Sequence, residues 1–494
     1  MKNRIEVNIF ELSSRQATLT FLLSAAYRTI YHGKKLVVEH SFADGYFCHR
    51  DNWEPITQNE ADILEQKVKS WLENDISLIE DEIDKTILLN NYKKIGLRNK
   101  TEIITQWNTD KIPVIRFGRF SDYRFEPMCL DKKKLNNFRL MSYDHGMLIR
   151  FPSALNHGSI PEFHDHPHLF EIIDEYEKWG NVLNIESIRD LNEAIRDNSI
   201  RELMWVAEGL HEKKIGIIAD ELCKRFPASR VISIAGPSSS GKTSFAKRLS
   251  IQLRVNGFTT KQMSMDNYFC DRDDIPVDEN GEQDFEAFEI LNNELLCDDI
   301  QRLLNGDVIN RRKYNFTTGK GSVITDEMML DEKDFIILEG IHGLNPLLTN
   351  NIADGNVSKI YVSAITQLNI DADHRFSTSD NRLLRRIVRD YKFRNYSPTE
   401  TISRWHSVRL GEERNIFPYQ DKADFFFNSA LIYELPVLAG DVKPLVELIE
   451  DGDRFDDQIH RLKTLLSFFI PLEESMVPGT SILREFIGNS EFNY

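Results

Sequence analysis

Positive charge is in short supply. The 494 residues carry 61 lysines and arginines against 78 aspartates and glutamates, a formal net charge of −17. A broad footprint on nucleic acid or on an anionic membrane surface needs a basic face, so neither partner is expected, although a local basic pocket is still allowed. Cysteine is sparse as well. Cys48, Cys129, Cys223, Cys270 and Cys297 are scattered with no CxxC pair, which fits reduced structural thiols in a cytoplasmic protein. No apolar run approaches membrane-span length, and Met1 to Leu12 carries Glu6 and Glu11 without the apolar stretch of a signal peptide. Internal repeats and low-complexity tracts are missing too. What remains is an ordinary globular balance, 41% hydrophobic and 28% charged, in a chain long enough for more than one domain.

The most specific stretch present is Gly236-Pro237-Ser238-Ser239-Ser240-Gly241-Lys242-Thr243, which fits the phosphate-cradling pattern G-x-x-x-x-G-K-[ST] at every fixed position. Val231 to Ala235 before it is a short, apolar, β-branched run, as expected of a buried parallel strand. Ser244 to Val255 after it has helical patterning. A strand, a glycine-rich turn and a helix start converge several backbone N–H groups and the positive end of a helix dipole on one point, which makes an anion site. Residues 236–244 are therefore the expected ATP-binding set. Lys242 is expected to reach the β- and γ-phosphates, and Thr243 to place its hydroxyl on Mg²⁺.

Along the chain, Arg15 to Tyr31 reads as a helix, Lys35 to Glu39 and Gly45 to Cys48 as strands, and Asn59 to Asn74 as a helix. Ile76 to Leu88 continues with acidic residues, and Ile112 to Phe117 and Gly146 to Phe151 are further strands. Residues 1–152 are thus expected to form an α+β module. Residues 153–229 read as a Pro/Gly/His-rich linker followed by helices that brace the next domain. From 230 to 440 strands alternate with helices, at Val231–Ala235, Lys261–Met265, Asp334–Leu338 and Lys359–Val362, the pattern of an α/β parallel sheet with right-handed crossovers. Residues 441–494 read as a helical tail able to pack on either domain.

Three further constellations carry chemistry. Asp266 closes the strand after the phosphate-loop helix, where ligands of open α/β sheets bind; it either accepts the proton of an attacking hydroxyl or merely caps the next turn. Asp334 to Gly340 is an apolar strand ending in Glu339, the place for an acid that holds Mg²⁺ directly or through water. His342, a few residues on, fits the site or the core equally well. Arg382 to Asp390 is dense in arginine within an acidic chain, with Arg385 and Arg389 on one helical face; guanidinium forks suit transferring phosphoryl oxygens. The histidines at 157, 164, 166 and 168 sit among Pro161, Asp165 and Pro167 and read as a loop rather than a metal site.

These motifs, with Asp284-Phe285-Glu286-Ala287-Phe288-Glu289, Tyr314-Asn315-Phe316 and Leu338-Glu339-Gly340-Ile341, occur in the order seen in uridine kinases and the related phosphoribulokinases, which this region resembles. The resemblance implies a P-loop kinase using ATP and Mg²⁺. It further implies Asp266 as base on the substrate hydroxyl and Glu339 at the magnesium, Glu286 near the ribose hydroxyls, Tyr314 and Phe316 near the base, and Arg385, Arg386 and Arg389 on a lid helix. There are departures. Where uridine kinases read the pyrimidine with a histidine past the Tyr-x-Phe, this chain has Thr317-Thr318-Gly319-Lys320. Arg404-Trp405-His406 occupies the region of a base-reading glutamine, and Glu286 replaces a shorter Asp. The expected activity is phosphorylation of a small-molecule hydroxyl, a nucleoside 5′-hydroxyl foremost. A sugar phosphate or other polyol acceptor, or an ATP-driven, RNA-linked switch, is the alternative. No NKxD motif supports a GTPase.

The N-terminal part resembles the second additional, editing-associated domain of threonyl-tRNA synthetases. The likeness runs over Leu22 to His49, ending in Ala43-Asp44-Gly45-Tyr46-Phe47, and continues in the Thr57–Asn74 helix and the Arg116–Phe151 strands. That family carries HxxxH and CxxxH pairs; the corresponding positions here are Phe21 and Ala25, then Arg124 and Met128. The resemblance implies a scaffold without its editing site, kept for packing, substrate gating or homo-oligomerisation. The two-part arrangement looks like that of a group of bacterial nucleoside kinases.

Overall fold

In the computed structural model the described residues are 9–74, 77–153, 158–275, 286–315, 318–352, 356–366, 368–449 and 455–493. They form two compact units, each assembled from three chain segments: Met1–Arg201, Thr366–Leu384 and Leu435–Glu473 in the first, and Glu202–Ile365, Arg385–Glu434 and Glu474–Tyr494 in the second.

The first unit is α+β. Strands β1 (Leu36–Phe42), β2 (Gly45–Arg50), β6 (Arg139–Tyr143) and β7 (Gly146–Arg150) form an antiparallel sheet in the order β1-β2-β7-β6, and β3 (Leu78–Asp84), β4 (Lys111–Phe117) and β5 (Phe120–Tyr123) form a second sheet. Leu22, Leu23, Ala26 and Tyr27 of helix Ile9–Ile30 pack with Leu64 and Val68 of helix Gln58–Glu73 in one apolar core. Thr57 and Glu60 close a capping box at the second helix, satisfying two donors that a helix start leaves open. The acidic stretch from Ile76 to Leu88 changes structure partway. Leu78–Asp84 pairs antiparallel with β4 from Leu78↔Phe117 to Asp84↔Lys111, and Asp84 then caps helix Lys85–Lys94 by accepting from Thr86 N and Ile87 N. Ladder pairing decides the strand that local composition does not announce; Ile76 itself lies outside the described residues.

The second unit is a parallel α/β sheet. Strands β8 (Val231–Ala235), β9 (Thr259–Ser264), β12 (Asp334–Glu339), β13 (Val357–Ser363) and β14 (Phe425–Asn428) run in the order β14-β13-β8-β12-β9, and every pairing is parallel. A hairpin of β10 (Ile309–Asn315) and β11 (Lys320–Met328) stands apart. β8 is buried along its whole length, as a strand covered on both faces should be. Phe245, Leu249 and Leu253 of helix Lys242–Val255 are buried. Leu296, Ile300 and Leu303 of helix Asn293–Leu304 pack with Met263, Ile336 and Leu338 from the strands. From β8 the chain crosses to β9 on one side, and from its neighbour β13 it continues to β14 on the other, so the strand order reverses between β8 and β13, and ligands of open α/β sheets bind outside the strand ends at such a point.

Candidate active site

The loop after β8 is built from close approaches. A Cβ on Gly236 would lie 1.9 Å from the Val362 carbonyl oxygen, so only glycine passes there. Ser239 and Gly241 take positive φ, 59° and 81°, and turn the chain into helix Lys242–Val255. Lys242 Nζ donates to the Pro237 carbonyl at 3.1 Å, and Ser429 Oγ donates to the Ser240 carbonyl at 2.5 Å. The Oγ atoms of Ser239 and Ser240 are buried without a hydrogen-bond partner among the described residues, an exception to the usual pairing of buried polar groups within the phosphate loop itself.

Carboxylates gather opposite. Register places Glu339 beside Ser264 and Ile234, so Glu339, the turn carrying Asp266 and the start of the phosphate loop leave the sheet at one level. Thr243 Oγ1 donates to Glu339 Oε2 at 3.2 Å. Burial pushes the Glu339 carboxyl up to about 7, with Lys242 opposing and Asp266 and Glu485 adding to the rise. Burial also raises Asp266, against the pull of Lys242, Arg394 and Arg389. Glu286 is pushed up to about 8 by burial and by Glu412, with Arg386 and Lys242 pulling the other way. Glu412 is buried, accepts from Ser238 N at 3.0 Å and pairs with Arg409 at 3.2 Å. A Cβ on Gly411 would fall 2.4 Å from Glu286 Cβ, so that glycine is what lets the two acids sit together. Asp266, Glu286 and Glu339 are half-buried and Glu412 is buried, and the raised carboxyls show that Lys242 and the neighbouring arginines do not fully offset their desolvation.

Thr243 and Glu339 offer hard oxygen donors side by side, which fits Mg²⁺. Among the described residues no group of three or more His, Cys, Asp or Glu side chains is arranged to hold a metal, so phosphate and water oxygens would complete the shell of an ion held there.

The arginine helix runs from Thr378 to Arg394. Arg385 is fully buried; it pairs with Glu434 at 2.5 Å and donates to the Ser239 carbonyl at 3.3 Å and the Ser429 carbonyl at 2.9 Å. Arg386 donates to Ser238 Oγ at 2.8 Å, and its pKa is lowered by burial and by Arg389. Arg389 donates to Asp390 at 2.7 Å and 2.9 Å and contributes positive potential at Asp266.

Tyr314 is buried on β10; its N–H donates to Asn267 Oδ1 at 3.1 Å and its ring meets Phe269 edge-on at 5.7 Å. The hairpin is thereby tied to the turn that carries Asp266. Phe316 lies outside the described residues, as does His157. His342 is a buried, neutral histidine that bonds the Ala287 carbonyl at 3.1 Å, its pKa lowered to about 4 by burial. Sequence reasoning missed Arg394, Glu412, Ser429, Glu434 and Glu485. Glu485 Oε2 accepts from Ser244 N at 2.9 Å and from Ser244 Oγ at 2.8 Å, and no local pattern in the tail signals it.

Residues 231–432 match the Phosphoribulokinase / Uridine kinase family. The uridine kinase of Staphylococcus aureus (strain JH9) is 31% identical over 198 residues, 40% of this chain and 86% of that protein. Among solved structures, one titled "Structure of a Possible Uridine Kinase from Bacillus stearothermophilus" is 17% identical and matches with a TM-score of 0.31 over 44% of this chain and 98% of its own. A D-glycerate 3-kinase from Cryptococcus neoformans is 13% identical and matches with a TM-score of 0.21 over 50% and 82%. With its phosphate loop, its strand-end acids and this shared sequence, the chain belongs to the phosphoribulokinase / uridine kinase family and is an ATP-dependent kinase.

Proposed function

We propose that the enzyme transfers the γ-phosphoryl group of ATP to a hydroxyl of a small molecule, and that the acceptor is a nucleoside carrying a free 5′-hydroxyl. The observation that carries this reading is the group formed by Lys242, the Thr243–Glu339 pair and Asp266 where β8, β12 and β9 end. The loop amides and Lys242 bind the phosphate tail. Thr243 and Glu339 would hold Mg²⁺, which would supply neutralising charge to the phosphate tail. Asp266 accepts the proton of the acceptor hydroxyl as that oxygen bonds to the γ-phosphorus and ADP leaves; burial makes Asp266 a stronger base than an exposed aspartate. Arg386 and Arg389 stabilise the equatorial oxygens. Arg385, committed to Glu434, positions the loop from below. Glu286 and Tyr314 form the acceptor side.

A sugar phosphate or other polyol is the second reading. It is favoured by the hairpin turn, where Thr318, Gly319 and Lys320 stand and Arg272 packs against Gly319, its Cβ 2.6 Å from where a Cβ would be; a basic turn suits a charged acceptor. The N-terminal sheet is read as an editing-type scaffold without its site. In support, Ala25 is a core residue, Phe21 and Met128 pack on that core, and Arg124 pairs with Glu80 at 3.3 Å.

Asp266→Asn keeps the shape and removes the base. It is expected to lower kcat by about 10²–10⁴-fold while ADP binding persists, measured on a panel of nucleosides, sugar phosphates and polyols. Turnover within threefold of the parent on the best acceptor would remove Asp266 from its role. The acceptor with the highest kcat/KM decides between the two readings.

A further inference from the structure

The tail reaches the phosphate loop as an ordered piece. Ile482, Leu483, Phe486 and Ile487 are buried, and Arg484 ties the segment by donating to the carbonyls of Glu474 (2.9 Å), Val477 (2.5 Å), Pro478 (3.4 Å) and Gly488 (3.2 Å). Ile482 packs on the loop's left-handed glycine: a Cβ on Gly241 would lie 2.6 Å from its Cγ2. The Arg385 guanidinium lies 5.0 Å over the Phe486 ring. This framework sets the Glu485 carboxylate on the N–H and the hydroxyl of Ser244.

Ser244 stands in the first turn of the loop helix. Its N–H is one of the open donors at a helix start, in the positive end of the dipole, and the amides of such a loop are what cradles α- and β-phosphates. One N–H cannot serve a carboxylate and a phosphate oxygen in line at once, and a fixed negative charge there repels the phosphate tail. We propose that Glu485 is a resident competitor for the nucleotide: its carboxylate holds the Ser244 donors in the absence of ligand, and nucleotide binding must lift the segment 481–488 off the loop. The C-terminal segment is then an autoinhibitory contact that sets nucleotide affinity. The inference rests on the reading of residues 236–244 as the nucleotide-phosphate site.

The test is titration calorimetry of the full-length protein and its Glu485→Gln and Glu485→Ala forms with ADP, ATP and adenosine. The expected result is ADP and ATP bound about tenfold more tightly by both variants, the gain of a charge-assisted contact no longer opposed, with no gain for adenosine. Equal or weaker ADP affinity in the variants overturns the proposal and leaves the phosphate-site reading standing. Failure of the parent and both variants to bind ADP or ATP overturns the phosphate-site reading, and the proposal with it. Hydrogen exchange on the parent is independent of whether the variants fold. Faster exchange of the amides of 484–488 on adding ADP is expected, and unchanged protection overturns the proposal.

Discussion

Glu286 shows what one methylene and one absent Cβ can do. Its carboxyl sits against Glu412 because residue 411 has no side chain, and burial with that neighbour pushes it up to about 8. An unfolded glutamate titrates far lower. Between the two values the folded state binds more protons than the unfolded one, so stability falls as pH rises. The contribution is complete below the ordinary glutamate range and is lost as pH passes through about 8. Glu286→Gln removes a charge that the site does not accommodate in the absence of ligand. Its melting temperature is therefore expected to exceed the parent's by a few degrees at pH 8.5, with little or no gain at pH 5. A shift of the same size at both pH values, read by calorimetric melts, would place the effect in packing rather than in ionisation.

At the scale of elements, the arginine helix and the phosphate loop depend on each other through Arg385. Its guanidinium holds the Ser239 carbonyl and is neutralised by Glu434, both partners being buried. Arg385→Met strands Glu434 as a buried charge, a loss of about 3–5 kcal/mol. The double change Arg385→Met with Glu434→Leu should recover much of it, since an apolar pair replaces an ionic one. Urea denaturation of the four proteins checks this, and a double variant as weak as the sum of the two singles would refute the coupling. β8, β12, the loop between β8 and its helix, Glu339 and Asp266 were all legible in the sequence. Strands covered on both faces show as unbroken apolar runs, and a phosphate loop has fixed glycine and lysine spacing. The density of arginine was legible too, but not that Arg385 lies underneath the loop. Glu412 meets Ser238 from 174 residues away, and Glu485 meets Ser244 from 241; contacts at that separation leave no local period to read. β14, only Phe425–Asn428, is too short to stand out from its surroundings.

On the scale of the whole molecule, what matters is that each unit is assembled from separated segments. In the first unit Lys100 is buried and bonds Asp122 and, at 2.6 Å, Asp373; Arg28 adds a bond to Asp373 at 2.5 Å, and Tyr123 donates to Asp371 at 2.5 Å. Against the upward push of burial, Lys100 and Arg28 hold Asp373 below the usual carboxylate range, and Lys100 with His374 does the same for Asp371. Two of the three acids that neutralise this buried lysine therefore arrive from residues 366–384, long after the first 201 residues have been made. Leu435–Glu473 adds Phe468, whose carbonyl accepts from Asn192 at 2.9 Å and whose ring meets Trp107 at 5.4 Å. A fragment ending at Arg201 would keep Lys100 and Arg28 but lose Asp371, Asp373 and that aromatic contact, and an incompletely paired buried cation costs several kcal/mol against a domain stability of about 5–15 kcal/mol. The fragment is expected to lack a cooperative thermal transition, whereas the full chain has one. A sharp calorimetric transition from residues 1–201 alone would show that the buried ion cluster is dispensable to the first unit.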